Sequence, residues 1–229
     1  MKILLFDIDG TLIRTGGAGI RAMSRSFKEV MGWEQALAKI SPAGLSDRLI
    51  ANLISQKIQG QDMSAVDQAE VFKVYFKHLR TELKNNIEQY KILPGIKKFL
   101  DFFSLQQGYL IGLGTGNLEE GARIKLEFGK LNRYFKFGGF GSDSQKRPEI
   151  LNMAVKRAQD LLGTTISPDQ VVIIGDTQHD IQAAKAIGAR SIAVATGPLK
   201  VSQLFTFSPD VVVEDFTQFQ VINNFFKSF

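Results

Sequence analysis

Two aspartates, Asp7 and Asp9, stand where the apolar run Ile3–Phe6 ends, and Gly10 and Thr11 follow them. A short, branched run of this kind reads as a buried strand. Side chains alternate along a strand, so both carboxylates point the same way if the chain stays extended. Two acids placed like this repel each other unless something positive sits between them, and a divalent cation with oxygen ligands is the natural guest. The stretch therefore offers a nucleophile, an acid/base group and a metal site within one turn of chain. Taken alone, Asp7-Ile-Asp9-Gly10 also reads as a strand that ends in an Asx-type turn with both acids solvated.

Ligands of open α/β sheets gather at the carboxyl ends of strands. Three more such ends carry reactive side chains. In Leu113-Gly-Thr-Gly-Asn117 the hydroxyl of Thr115 lies between Gly114 and Gly116 at the start of a helix. A small anion can approach Thr115, Gly116 and Asn117 there, helped by the helix dipole. Thr115 or Asn117 as a plain N-cap is compatible with this. Lys146-Arg147-Pro148-Glu149 opens another helix, with Pro148 and Glu149 well suited to its first turn. A cation is unfavourable at that helix end, so one of Lys146 and Arg147 is expected to turn inward to an anion and the other to face solvent. Finally, Val171–Ile174 runs into Gly175-Asp176-Thr-Gln-His-Asp180, with Asp176 at the strand tip and Asp180 in the first helical turn. These carboxylates can complete an oxygen cage for a hard cation. His179 suits such a metal poorly and is read as a polar helix-start residue.

The elements that must position these groups are legible as periodicity. Ile3–Phe6, Tyr109–Gly114, Val171–Ile174, Ser191–Val194 and Val211–Val213 are continuous apolar or β-branched runs, as in parallel strands covered on both faces. Helical patterns at Ile96–Phe103, Leu118–Gly129, Pro148–Leu162 and Asp180–Ile187 alternate with them, which predicts an α/β doubly wound parallel sheet. Between Leu12 and Pro94 there is no convincing strand. Helical patterns at Gly19–Met31, Asp47–Gln59 and Ser64–Lys84 occupy that stretch, too much chain for a crossover. Ile50, Leu53, Ile54 and Ile58 share one face, and Val71, Val74, Tyr75, His78 and Leu79 another. The expected division is an α/β core of residues 1–14 and 91–229 and a small all-helical lid of residues 15–90, hinged at Thr15–Gly19 and Leu93-Pro94-Gly95. A phosphate-binding loop at Gly16, Gly17 and Gly19 is disfavoured, because no strand directly precedes it.

Composition bounds the rest. The chain has 229 residues, 44% hydrophobic and 22% charged, and no cysteine, which excludes a disulfide scaffold, a thiol nucleophile and a thiolate zinc site. The N-terminus reads as a core strand rather than a signal peptide, and no apolar stretch approaches a membrane span, so a cytoplasmic protein without a membrane partner is expected. Net charge is +5, but the basic residues are scattered. Steering of an anionic metabolite is expected rather than nucleic-acid binding. The 18 Phe against four Tyr and one Trp indicate core packing. Oligomeric state is not legible, and the aromatic segment 216–229 is expected to pack against its own chain.

These pieces, in this order, resemble the haloacid dehalogenase superfamily of phosphotransferases. Asp7-Ile-Asp9-Gly-Thr11 is similar to its first motif, Thr115 to its second, Lys146/Arg147 to its third and Gly175-Asp176-Thr-Gln-His-Asp180 to its fourth. The helical stretch resembles the superfamily's small helical cap, and Gly44-Leu-Ser-Asp47 resembles the substrate-facing cap loop of phosphoglycolate-phosphatase-like members. The resemblance implies a Rossmann-like core and Mg²⁺-dependent phosphoryl transfer through an aspartyl phosphate. It implies Asp7 as nucleophile and Asp9 as acid/base. It implies Mg²⁺ on Asp7, the Asp9 carbonyl and Asp176, with Asp180 orienting metal waters or the third-motif cation. Thr115 and the neighbouring N–H groups would hold the phosphoryl oxygens. The family usually places Lys just before the Pro of the third motif, whereas here Arg147 holds that place and Lys146 precedes it, so register favours Arg147, whose planar fork suits phosphate oxygens. The expected substrate is a small phosphorylated metabolite, phosphoglycolate being the family-level guess. The alternatives are a phosphomutase, a phosphonate hydrolase using a cap lysine (Lys28, Lys39 and Lys57 are available) or a non-catalytic binding protein.

Overall fold

A computed structural model describes residues 1–38 and 40–228. Lys39, one of the cap lysines considered, and Phe229 lie outside the described residues.

Six strands form one parallel sheet: β1 (Lys2–Phe6), β4 (Tyr109–Gly114), β5 (Gly138–Gly139), β6 (Val171–Gly175), β7 (Arg190–Val194) and β8 (Val211–Val213), in the order β5-β4-β1-β6-β7-β8. β1 is central, pairing with β4 and β6. The alternation of its side chains explains its wholly apolar sequence. Leu4 and Phe6 enter the core on one face, while Ile3 and Leu5 enter that on the other. The first face is covered by α4 (Ile96–Leu105), α5 (Glu119–Glu127) and α9 (Phe219–Lys227), the second by α6 (Arg147–Leu162) and α7 (Gln178–Ala186). A short α8 (Val201–Phe205) packs beside β8 through Leu204.

The aromatic C-terminal segment folds back onto its own chain. Phe226 meets Phe103 and Tyr109 at ring-centroid distances of 5.1 and 5.7 Å, and the Lys2 ammonium donates to the Phe226 carbonyl.

Three helices occupy the stretch between the first two sheet strands in the chain: α1 (Ala18–Met31), α2 (Asp47–Gln59) and α3 (Ala65–Asn85). Ser46 and Ser64 cap α2 and α3 by accepting from the Leu49 and Asp67 amides at 3.3 and 3.1 Å. The helices share an apolar core that includes Met23, Phe27, Ile54, Val71 and Leu79, and Leu118 and Ile124 from the start and middle of α5 join it. Ile58, placed by periodicity on the buried face, is exposed in the last turn of α2.

This stretch is not strand-free as the sequence suggested. β2 (Ile13–Arg14) and β3 (Lys91–Ile92) form a two-residue antiparallel ladder that ties together the points where the chain leaves and re-enters the sheet region. Two residues carry no periodicity, so this pairing is invisible to pattern reading. The same holds for β5. Among the described residues no helix is long and apolar enough to cross a membrane.

Candidate active site

Strand register creates the site. Phe6 pairs with Leu113 on one side and Ile174 on the other, so β1, β4 and β6 end side by side. The residues just beyond those ends, Asp7, Thr115 and Asp176, are thereby brought together. The Asp7 amide still donates to the Ile174 carbonyl at 2.9 Å, which holds its Cα in line with the strand. Gly10 turns the chain with φ +79°, and a Cβ there would collide with the Asp176 carboxylate. A side chain at position 10 would therefore be both strained and obstructive. The Thr11 hydroxyl donates to Asp176 Oδ1 at 2.9 Å.

Asp7, Asp176 and Asp180 are all buried, and each offers an oxygen within 4.8 Å of the others. Asp180 sits in the first turn of α7. There its Oδ2 accepts from the Thr177 amide and hydroxyl at 3.2 and 2.8 Å, a capping interaction that fixes the side chain. Arg147, the first residue of α6, enters the group. Its Nη2 lies 3.1 Å from Asp7 Oδ1 and donates to Asp180 Oδ1. Its Nε is buried and without a hydrogen-bond partner.

Lys146 does not join this group. Its side chain is 77% exposed and pairs with Glu149 at 3.2 Å. The structure thus separates the two cations. Arg147 is inside and Lys146 outside, because the helix begins between them and sends consecutive side chains in different directions.

Burial raises the Asp7 pKa, reinforced by Asp180 and Asp9 and opposed by Arg147 and the Thr115 hydroxyl. Burial, then Asp7 and Asp180, push Asp176 well above the ordinary carboxylate range, against the Thr11 hydrogen bond. Burial works against the Arg147 charge, but Asp180 and Asp7 outweigh it and hold the guanidinium ionised. With all three acids ionised, one guanidinium leaves the cluster two positive charges short of neutral. An all-oxygen donor set with that deficit fits one hard divalent cation. His179 is not among the clustered groups and sits in the first turn of α7.

Asp9 lies apart. Its side chain is 42% exposed, and its Oδ2 accepts from Lys125 Nζ at 2.6 Å and Asn117 Nδ2 at 3.0 Å. Its carboxylate is therefore outside the three-acid cluster, which leaves only its backbone carbonyl, the group the resemblance implied, to face a metal there. The bend at Gly10 and the pull of Lys125 turn the carboxylate toward the helices. Asn117 lines the cavity and is also engaged by its side chain. Its amide donates to Thr115 Oγ1 at 2.8 Å and accepts from Lys125 at 2.6 Å, so it braces its neighbours. Gly116 is covered by the loop before α2. Its carbonyl accepts from the Asp47 amide at 2.9 Å, and a Cβ there would press on the Leu45 carbonyl.

Sequence reading missed two participants. Lys125, on α5, is 6% exposed at its side chain. Burial lowers its pKa, but Asp9, Tyr75 and Asp47 more than offset this and keep it charged. Its only signal was a lysine on the helix stripe that also carries Ala122 and Leu126. Thr196 and Gly197 follow β7. The Thr196 hydroxyl donates to the Gly10 carbonyl at 2.5 Å, and Gly197 packs against Asp176. The strand-end rule that found the other loops applies equally to this one.

Asp47, from the loosely matched loop, is buried and accepts from the Leu118 amide at 2.9 Å. Burial raises its pKa to about 6, with Lys125 and that hydrogen bond opposing. A cavity of about 460 Å³ runs from Asp7, Arg147 and Asp176 past Asp9 to α1 and α2, within the usual range for small-molecule sites.

The chain resembles known proteins along most of its length. It is 29% identical over 225 residues to a phosphoglycolate phosphatase of Aliivibrio fischeri, covering 94% of this chain and 93% of the relative. It is 27% identical to the pyrophosphatase PpaX of Bacillus mycoides, covering 93% and 94%. The crystal structure of a hydrolase from Pseudomonas syringae superposes with a TM-score of 0.73 at 19% identity, covering 98% of this chain and 99% of that one. A model of the haloacid dehalogenase-like hydrolases matches residues 4–194, and with the strand-end carboxylates in that order the chain belongs to this family.

Proposed function

We propose that this chain is a Mg²⁺-dependent phosphomonoesterase that cleaves a small phosphorylated metabolite through an aspartyl phosphate on Asp7. The observation that carries the reading is the buried group Asp7–Asp176–Asp180 with Arg147 inserted into it. Names of relatives, phosphoglycolate phosphatase and pyrophosphatase among them, support the phosphatase class. In this reading residues 15–90 act as a cap over the α/β core.

The Asp7 carboxylate attacks phosphorus, forming an O–P bond while the bond to the substrate alcohol breaks. Asp9 gives its proton to the departing oxygen, then removes one from the water that attacks the phosphoenzyme. The Thr115 hydroxyl and nearby amides hold the transferring oxygens, and Arg147 balances their charge. Asp7, Asp176 and the Asp9 carbonyl would hold the metal, with Asp180 behind them orienting Arg147 or metal-bound water. When bound, Mg²⁺ would offset repulsion between carboxylate and phosphate. The engaged Asn117 amide braces Thr115 and Asp9 in this scheme.

The test is release of phosphate from p-nitrophenyl phosphate and acetyl phosphate with Mg²⁺ and with EDTA. Metal-dependent release supports the reading, and its absence from purified protein favours a binding protein. Phosphoglycolate, from the relatives' names, is the reference substrate.

A further inference from the structure

The half of the cavity beyond Asp9 shows what kind of alcohol can sit there. Its wall is built by Ile20 and Met23 of α1, by Leu37 and Leu45, and by Ile50 of α2. Three cations line the whole cavity among the described residues, namely Arg14, Lys125 and Arg147. Lys125 and Arg147 are already paired with acids, while Arg14 is hydrogen-bonded to a backbone carbonyl at the far end of the cavity. Arg147 is held by Asp7 and Asp180. Lys125 is held by Asp9 and Asn117. Arg14 turns Nε and Nη2 to the Thr196 carbonyl at 3.3 and 2.7 Å, beside the loop that packs on Asp176. Arg147 stands at the Asp7 end, whereas Lys125 Nζ lies against Gly19 of α1 and is shared between the acids Asp9 and Asp47.

The charged group on the wall itself is acidic. Asp47 is buried there, with Tyr75 near it. Among the described residues, a ligand carboxylate in this half would meet two acids, Asp47 and Asp9, against the single cation Lys125 that they already share, and burying a carboxylate without its own partner is strongly unfavourable. Glycolate carries such a carboxylate on two carbons, and the second phosphate of pyrophosphate carries more charge still. Apolar surface, by contrast, would be transferred from water onto the α1 and α2 wall.

Resting on the phosphatase reading above, we infer that the preferred substrate is a phosphomonoester of an uncharged, carboxylate-free alcohol with an apolar portion larger than glycolate. Specificity then comes from apolar contact with Met23, Leu37, Leu45 and Ile50, and from the excess of acid over cation around Asp9, Asp47 and Lys125.

The experiment compares kcat/KM with Mg²⁺ for ethyl, butyl and hexyl phosphate, whose leaving groups are alike in basicity, with that for 2-phosphoglycolate and pyrophosphate. A rise of roughly fourfold per buried methylene along the alkyl series is expected, with phosphoglycolate and pyrophosphate at least about tenfold below hexyl phosphate. Preference for either anionic substrate, or no dependence on chain length, overturns the inference and leaves the phosphatase reading standing. No phosphate release from any compound defeats the phosphatase reading instead.

Calorimetry keeps the two failures separable, because it needs no turnover. Hexylphosphonate should bind more tightly than ethylphosphonate, and both more tightly than phosphonoacetate. In Ile20→Lys, a change at a half-exposed wall position, phosphonoacetate should gain affinity and hexylphosphonate lose it. The reverse order in the native protein, or no response in the variant, contradicts the assignment.

Discussion

Lys125 Nζ lies 2.6 Å from Asp9 Oδ2, and this single contact joins the last turn of α5 to the turn that follows the first strand. Lys125 also holds Asn117, which in turn donates to Asp9 and Thr115. The geometry of the acid/base candidate and of the hydroxyl beside Asp7 is therefore set from one buried ammonium. Lys125→Met leaves Asp9 without its ion pair. Because Asp9 is 42% exposed, water screens the pair, and the stability loss should be about 1–3 kcal/mol, below the figure for two fully buried ions. Turnover should fall roughly 10- to 100-fold through misplacement of Asp9. Denaturant melts and steady-state kinetics check both, and a variant with native kcat removes Lys125 from the argument.

The roles of Asp7 and Asp9 separate kinetically. Asp7→Asn should abolish the acid-stable, base-labile phosphoenzyme and lower kcat by about 10³-fold or more. Asp9→Asn should still label from acetyl phosphate, whose leaving group needs little protonation, while turnover falls roughly 10²- to 10⁴-fold. Rapid-quench labelling distinguishes them. Persistent labelling in Asp7→Asn refutes its role as nucleophile.

Asp176 carries a stability cost that a metal should relieve. Burial and two neighbouring carboxylates oppose its ionisation. Asp176→Asn should therefore stabilise the metal-free protein by roughly 1 kcal/mol, or about 2–4 °C for a chain of this size. The same variant should lose the rise in Tm that Mg²⁺ is expected to give the native chain. Thermal scans in EDTA and in Mg²⁺ read both effects, and an unchanged Mg²⁺ response in the variant excludes Asp176 as a ligand.

Asp47 predicts a pH dependence of the opposite sign to that of an ordinary paired carboxylate. Its folded pKa is raised from 3.8 to about 6, so the folded state binds the proton more tightly than the unfolded chain does. Its contribution to stability is therefore greatest below pH 4, declines as pH rises from about 4 to about 6, and is level above that. Asp47→Asn keeps an acceptor for the Leu118 amide and removes the titration. The stability of the variant relative to wild type should increase by about 2–3 kcal/mol between pH 3 and pH 8, nearly all of it before pH 6. Urea melts across that range measure it, and a constant difference between the two proteins would count against the assignment.

Gly44 lets the loop before α2 settle on the core. Its φ is +75°, and a Cβ would stand 2.8 Å from the Thr177 hydroxyl and against His179. Gly44→Ala should lift the loop that carries Asp47, raising KM for alkyl phosphates by about tenfold while the smaller acetyl phosphate is turned over with little change. Equal losses for both would mean that the loop supports the Asp7 cluster and not the alcohol half of the cavity.

How much of this was legible from the chain varied with the length of the signal. Tyr109–Gly114 and Val211–Val213 are strands with the bounds read from their apolar runs, and α2 spans the expected Asp47–Gln59. The pairs Ile13–Arg14 and Lys91–Ile92 were not legible, since two residues have no period and pair only when distant chain brings them together. Arg147 was favoured over Lys146 by register alone. The reason it wins is spatial, because α6 points Arg147 at Asp7 and Asp180 while Lys146 reaches Glu149 in solvent.

Taken alone, the chain determined the parallel sheet and the four strand-end loops. Continuous apolar runs ending in Asp, Thr or Gly are a local property that burial on both faces demands. Only the tertiary structure decided which charges meet. Lys125 and Asp9 are 116 positions apart, and Asp47 reaches the amide of Leu118. Electrostatic partners depend on distance in space and on exclusion of water, and neither is written in the order of residues.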